Sequence, residues 1–338
     1  MQKKILLVLR YAFFLALGIV LAWIPIHSIT PEKWTEIKGA LSHARFFLLI
    51  PICLLYLLSH WSRAVRWKIM IGPLGYKPVT INVFFSVLIG YLTNLALPRL
   101  GEVLRCSFLG RHEKIPIEQL LGTIIVERIF DVICLFIVFA LAFSLQAKEL
   151  NDFFLSQLQG QKQGNHHLLI WFLLSFVLIA VIVIFLFIRF KEHRLVIWAK
   201  KIISGMWDGV VKVRFMKQKG WFLFHTVLIW TLYLACTRLG MYAFRELDGL
   251  GIKEALSVLG VGSIGMIVTQ GGLGAYPLLV QRTLMFYAIP EGIALAAGNV
   301  LWIVPTVLIV IAGIISFVGL ASKAKSSKNE NEELPAHS

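Results

Sequence analysis

Long apolar runs alternate with short polar breaks along the whole chain. Runs at about 5–26, 43–60, 117–145, 168–189, 221–244 and 293–320 can each cross roughly 30 Å of hydrocarbon as a helix. Two further apolar stretches, 79–109 and 255–290, are interrupted. The first breaks at Pro98, Gly101 and a row of charges, the second at Gly271, Gly272, Gly274 and Pro277. The pattern predicts an all-α polytopic membrane protein with about six full transmembrane helices and two broken, re-entrant helical hairpins. The competing reading turns each broken stretch into two tilted spans and gives ten crossings.

Charge bias sets the sidedness of the loops, and re-entrant hairpins are the simplest arrangement that satisfies it. Arg63, Arg66, Lys68 and Lys77 follow the second run with no acid among them. The 189–219 loop is strongly basic, and lysines flank both ends of the chain. Basic loops stay on the cytoplasmic side. The loops at 27–42 and 146–167 are balanced and suit the other side. This assignment closes with both termini cytoplasmic only if each broken stretch enters and leaves on one side, the two from opposite faces. The setting expected is a bacterial inner membrane. Residues 1–321 form one integral domain. The polar stretch 322–338 reads as a disordered cytoplasmic tail. Within 189–220, apolar residues spaced by three and four suit an amphipathic helix at the interface.

Composition agrees. The chain is 58% hydrophobic, against about 45–50% in soluble domains. Its net charge of +15 sits between the apolar runs and gives no basic domain for nucleic acid. Cys53, Cys106, Cys134 and Cys236 are isolated and lack metal-ligand spacing, so neither a metal nor a cofactor is expected.

Three polar groupings stand out. Tyr91, Thr93, Asn94, Pro98, Arg99, Gly101, Glu102 and Arg105 surround the first break. A broken helix at membrane depth must be buried in protein or line a wet cavity. Glu127, Arg128 and Asp131 interrupt the run at 117–145, with Glu127 and Asp131 on one helical face and Arg128 one turn from Asp131. Ionisable groups there are costly and are kept where they pair or line a cavity. Glu127 then needs Arg99 or Arg105 as partner. The alternatives are an interface loop for the first group and a purely structural ion-pair network for the second. The third grouping, Thr269 to Pro277, holds Gln270, Gly271, Gly272, Gly274 and Tyr276, and could present backbone N–H groups to an anion. Arg238 faces inward or snorkels to the interface. Asn299 is a cavity candidate, whereas Trp302 reads as packing. No grouping has the makings of a hydrolase or metalloprotease.

The run Asn94-Leu95-Ala96-Leu97-Pro98-Arg99-Leu100-Gly101-Glu102-Val103-Leu104-Arg105 resembles the "N…P…GE…R" signature of the lysylphosphatidylglycerol synthase transmembrane-region, or flippase-like, family. Val126-Glu127-Arg128-Ile129-Phe130-Asp131 resembles its "ERxxD" motif, and Gly271-Gly272-Leu273-Gly274 its late glycine motif. The departures are Gln270 in place of a frequent proline, Tyr276-Pro277 in place of an acid, and Asn299 or Trp302 in place of a late arginine. They bear on the substrate rather than the fold. The resemblance implies the membrane half of a two-part system, without the soluble domain that attaches lysine to lipid. It implies translocation or binding of a membrane phospholipid or a polyprenyl-phosphate-linked lipid, with a separate enzyme as possible supplier of that lipid. A membrane-embedded lipid-modifying enzyme and an ion-coupled small-solute transporter are the alternatives.

Overall fold

A computed structural model describes residues 16, 18–23, 27, 29–97, 100–146, 207, 211 and 215–333, with side chains up to residue 320. The expected span at 168–189, most of the span at 5–26 and nearly all of the amphipathic segment at 189–220 lie outside the described residues. Among those described, every element is helical. They are α1 (Pro31–Ser42), α2 (Leu49–Ile71), α3 (Thr80–Ala96), α4 (Leu100–Glu113), α5 (Ile117–Leu145), α6 (Lys219–Tyr242), α7 (Ile252–Val268), α8 (Ala275–Phe286) and α9 (Glu291–Glu333). The α9 backbone carries past the boundary placed at residue 321, and 334–338 lie outside the described residues.

The packing is that of a membrane protein, with polar groups turned inward and apolar ones outward. Phe136 on α5 is 70% exposed and Ile50 on α2 69%, while Arg66 and Glu127 are fully buried. Among the described residues three stretches, Phe46–Leu74, Lys219–Tyr242 and Glu291–Leu320, are long and apolar enough to cross a bilayer. In α5 the apolar residues run to Leu145, and the charged triplet at 127–131 interrupts them.

Sequence reading put a loop at 27–42, but most of it is α1. Thr30 accepts a hydrogen bond from the Lys33 N–H at 3.4 Å, and Pro31 stands at the first helical position. This cap is a standard start signal that the search for long apolar runs passed over. α1 lies against the start of α9, where Lys33 pairs with Glu291 at 2.8 Å and Glu36 accepts from the Gly292 N–H at 3.0 Å. Nearby, Arg45 binds Asp248 through two hydrogen bonds of 2.6 and 2.7 Å, joining the start of α2 to the turn after α6. Those bonds hold the Asp248 carboxyl below the usual carboxylate range.

Both broken stretches are hairpins. In the first, Asn82 Nδ2 donates to Glu113, Gly90 lies against Arg105, and Asn94 Oδ1 accepts from the Gly101 N–H. The residue numbers rise on α3 as they fall on α4, so the pair is antiparallel, and the Leu100 N–H donates to the Leu97 carbonyl at 3.3 Å where the two helices come together. In the second, Gly262 and Gly265 lie against Tyr276, and the tip is 269–274. Gly271, Gly272 and Gly274 take φ of 58°, 77° and 70° there, in a region that side chains with a Cβ rarely adopt.

α9 measures how deep each hairpin reaches. Phe85 and Leu92 of α3 lie against Gly319 and Gly313, so the first hairpin comes in from the Leu320 end. Pro277 lies against Gly298, and the Trp302 Nε1–H donates to the Gly271 carbonyl at 2.8 Å, so the second comes in from the Glu291 end. Their tips meet: Gln270 Nε2 donates to the Leu95 carbonyl at 2.8 Å and also to that of Ala96. The Gln270 amide thereby satisfies carbonyls that the end of α3 leaves without intrahelical partners. The meeting point, level with Trp302, is about 17 Å along α9 from Glu291 and about 27 Å from Leu320 at 1.5 Å per residue. Gln270→Leu should cost about 1–3 kcal/mol by stranding these carbonyls. Thermal unfolding of the purified variant measures it, and an unchanged transition would rule out a structural role for the tip-to-tip contact.

Candidate functional site

The charged triplet of α5 lies between that meeting point and the Leu320 end of α9, because Arg105, which it binds, pairs with Gly90 on α3 close to the level of Gly313. Helical spacing puts Glu127 and Asp131 on the inward face of α5. Glu127 Oε1 accepts from Arg63 at 2.6 Å and Oε2 from Arg105 at 2.6 Å, with Arg66 and Arg128 at 3.5 and 3.6 Å. Asp131 accepts from Arg63 and Arg66, both at 2.8 Å, and from Arg128 at 3.3 Å. The Arg128–Asp131 and Arg105–Glu127 pairings are those the sequence suggested. Pro98 and Arg99 lie outside the described residues.

Arg63 and Arg66 correct the sequence reading, which counted them as cytoplasmic loop charges. α2 continues without a breaker to Ile71 and carries both into the interior, 3% and 0% exposed. Two signals in the sequence mark this. No glycine or proline stands between Cys53 and Ile71, and Ser59, Ser62, Arg63, Arg66, Trp67 and Met70 repeat at helical spacing. Four guanidiniums thus face two carboxylates, and the Nε–H of each of the four arginines is buried without a hydrogen-bond acceptor. Aromatic rings complete the walls. The Arg105 guanidinium sits 4.5 Å from the Trp67 ring centroid, Trp67 donates to Thr123 at 2.8 Å, and Arg63 reaches the Tyr233 hydroxyl at 3.3 Å.

The four arginines differ in exposure. The Arg128 side chain is 43% exposed and makes the longest contacts. It opens on a cleft shared with Tyr91, Asn94, Glu102 and Arg105, whose free volume is only about 10 Å³. That holds one water at most, so a larger ligand requires the α3–α4 hairpin to move. Glu102 Oε2 is buried beside this cleft with no hydrogen-bond partner. Asn94 spends its carbonyl on the Gly101 N–H, which ties off the hairpin tip.

The remaining candidates lie elsewhere. Gln270, Gly271, Gly272, Gly274 and Tyr276 build the second tip and its contacts with Leu95, Trp302 and the helical residues 18–23, and do not reach the arginine cluster. Arg238 belongs to the far end of α6, 5.4 Å from the Tyr242 ring. Asn299 donates to the Leu295 carbonyl of its own helix. Trp302, read as packing, holds the second tip through Gly271. Among the described residues no group of histidines, cysteines and carboxylates could hold a metal ion.

A UPF0104 membrane protein of Methanocaldococcus jannaschii is 31% identical over 133 residues, which is 38% of this chain and 36% of that protein. The match thus spans about a third of that relative. No solved structure matches the chain. The family model of the lysylphosphatidylglycerol synthase TM region matches residues 7–313, taking in both hairpins and all six residues of the buried charge cluster, and the chain belongs to that family.

Proposed function

We propose that the chain is a lipid translocase that holds the phosphate of an anionic or zwitterionic membrane lipid, or of a polyprenyl-phosphate-linked lipid, at the arginine cluster. One observation carries this reading: three buried arginines and the half-exposed Arg128 surround two carboxylates, each arginine with a buried, unused Nε–H. Such a surplus of cationic donors is costly at membrane depth unless an anion completes it. The planar guanidinium fork suits a phosphate. Glu127 and Asp131 keep the arginines in place between substrates, and Arg128, the most exposed, makes first contact. The acyl or prenyl tails stay in lipid.

Movement between leaflets requires the site to open to each side in turn. The paired hairpins meeting end to end supply the parts, as broken helices do in other transporters. In this reading the chain spans a cell membrane, with the end bearing Lys68, Lys77 and Lys219 in the cytoplasm. The test is reconstitution of the purified chain in vesicles with fluorescent phospholipid in one leaflet. Arg128→Gln should lose at least about tenfold in rate, the loss of one charge-assisted hydrogen bond, while eluting as folded protein. Wild-type rates in this variant would leave the cluster as a structural network.

A further inference from the structure

A sizeable cavity among the described residues lies apart from the arginine cluster. It is a groove of about 770 Å³ between the C-terminal end of α2 and the N-terminal end of α6. Lys68, Lys77 and Lys217 line it together with Tyr76, Phe215 and Trp221, and no acid is among the described residues that line it. Val65 and Ile69 add apolar wall. At the rim, Phe215 and Trp221 are 65% and 60% exposed, in the manner of aromatic side chains at a membrane–water interface. Lys68 is held by the Thr80 hydroxyl at 2.8 Å.

The groove also touches the buried site. His225 lines it and shares a hydrogen bond of 2.8 Å with Ser62, the neighbour of Arg63. The next residue, Thr226, accepts from Arg66 at 3.4 Å. One turn of α6 therefore borders both sites.

We propose that this groove is a second binding site, one for the headgroup of an anionic phospholipid in the adjoining leaflet. Three lysines, with no acid among the described lining residues, take the phosphate, and the aromatic rim and apolar wall take the glycerol and the first methylenes. The volume is in the range of small-ligand pockets, about 300–1,000 Å³. A soluble anion has no use for the apolar wall, which is why the site is assigned to a lipid. Hand-over from the groove to the arginine cluster rests on the translocase reading; binding in the groove does not.

The test uses the full chain in phosphatidylcholine vesicles that carry a minor fraction of phosphatidylglycerol brominated near the glycerol end of its chains. The control carries brominated phosphatidylcholine at the same fraction. Subtracting the fluorescence of Trp221→Phe isolates the signal of Trp221. Brominated phosphatidylglycerol should quench Trp221 more strongly than brominated phosphatidylcholine, and Lys77→Gln/Lys217→Gln should weaken that preference by roughly fivefold per lysine. Both lysines are exposed, so the variant keeps its fold, which thermal unfolding checks. Equal quenching by the two lipids, or a preference that survives the double substitution, overturns the proposal. So does displacement by inorganic phosphate, which would assign the groove to the free anion. A preserved lipid preference alongside wild-type transport in Arg128→Gln would reject the translocase site and leave this one standing.

Discussion

Glu127→Gln should lower the stability of the purified protein by about 3–5 kcal/mol, the cost of removing one partner from a buried ion pair. The substitution keeps the volume and removes only the charge. Arg63 and Arg105 lose their contacts of 2.6 Å, and Arg66 and Arg128 lose the nearby anion. Asp131 alone then faces four guanidiniums. Arg105→Gln/Glu127→Gln should be less destabilised than the sum of the single variants, because the second change removes one of the stranded charges. A coupling of about 0.5–3 kcal/mol is the range for residues in one network. Thermal unfolding in detergent reads all three variants, and strict additivity would mean that Glu127 does not organise the cluster.

Gly101→Ala should be the most damaging change at the first hairpin. A Cβ on Gly101 would run into the Gly90 carbonyl oxygen and come within 2.6 Å of the Asn94 amide group. Neither can step aside: the first is backbone, and the second is fixed by its bond to the Gly101 N–H. The helices must separate, at a cost of about 1–3 kcal/mol or more, and Arg105 moves with α4. Transport should fall together with stability, unlike in Arg128→Gln. Gly39→Ala on α1 is the control, since its Cβ would meet nothing within 4 Å. Equal unfolding temperatures for the two variants would contradict the close packing of α3 on α4.

Helix positions were legible wherever apolar length spoke for itself. The run at 117–145 became Ile117–Leu145, and that at 221–244 became Lys219–Tyr242. The broken stretches were legible as hairpins because proline and clustered glycine punctuate them. Reading the basic residues after residue 60 as loop charges hid the interior half of α2. Hydropathy treats an arginine as a reason to end a span, whereas a carboxylate on a neighbouring helix lets the span continue. Glu127 and Asp131 were recognised as needing partners, but one sequence cannot say which arginines fold onto them. The same limit applies to Gln270, Arg238 and Asn299, whose polarity marked them as candidates. Gln270 serves a helix end, Asn299 its own helix, and Arg238 the far end of α6. Polar character at membrane depth announces a partner without saying whether that partner is protein or substrate.

The most direct test of the central claim is the distance between lipid phosphorus and arginine nitrogen. The chain, labelled with nitrogen-15 in its guanidinium groups and reconstituted in phospholipid vesicles, can be read by phosphorus–nitrogen dephasing in solid-state NMR. The account predicts a strongly dephased guanidinium signal in the wild type that is missing from Arg128→Gln, with Arg105 affected next. Identical dephasing in the two proteins would mean that no lipid phosphate reaches the cluster, and would contradict it.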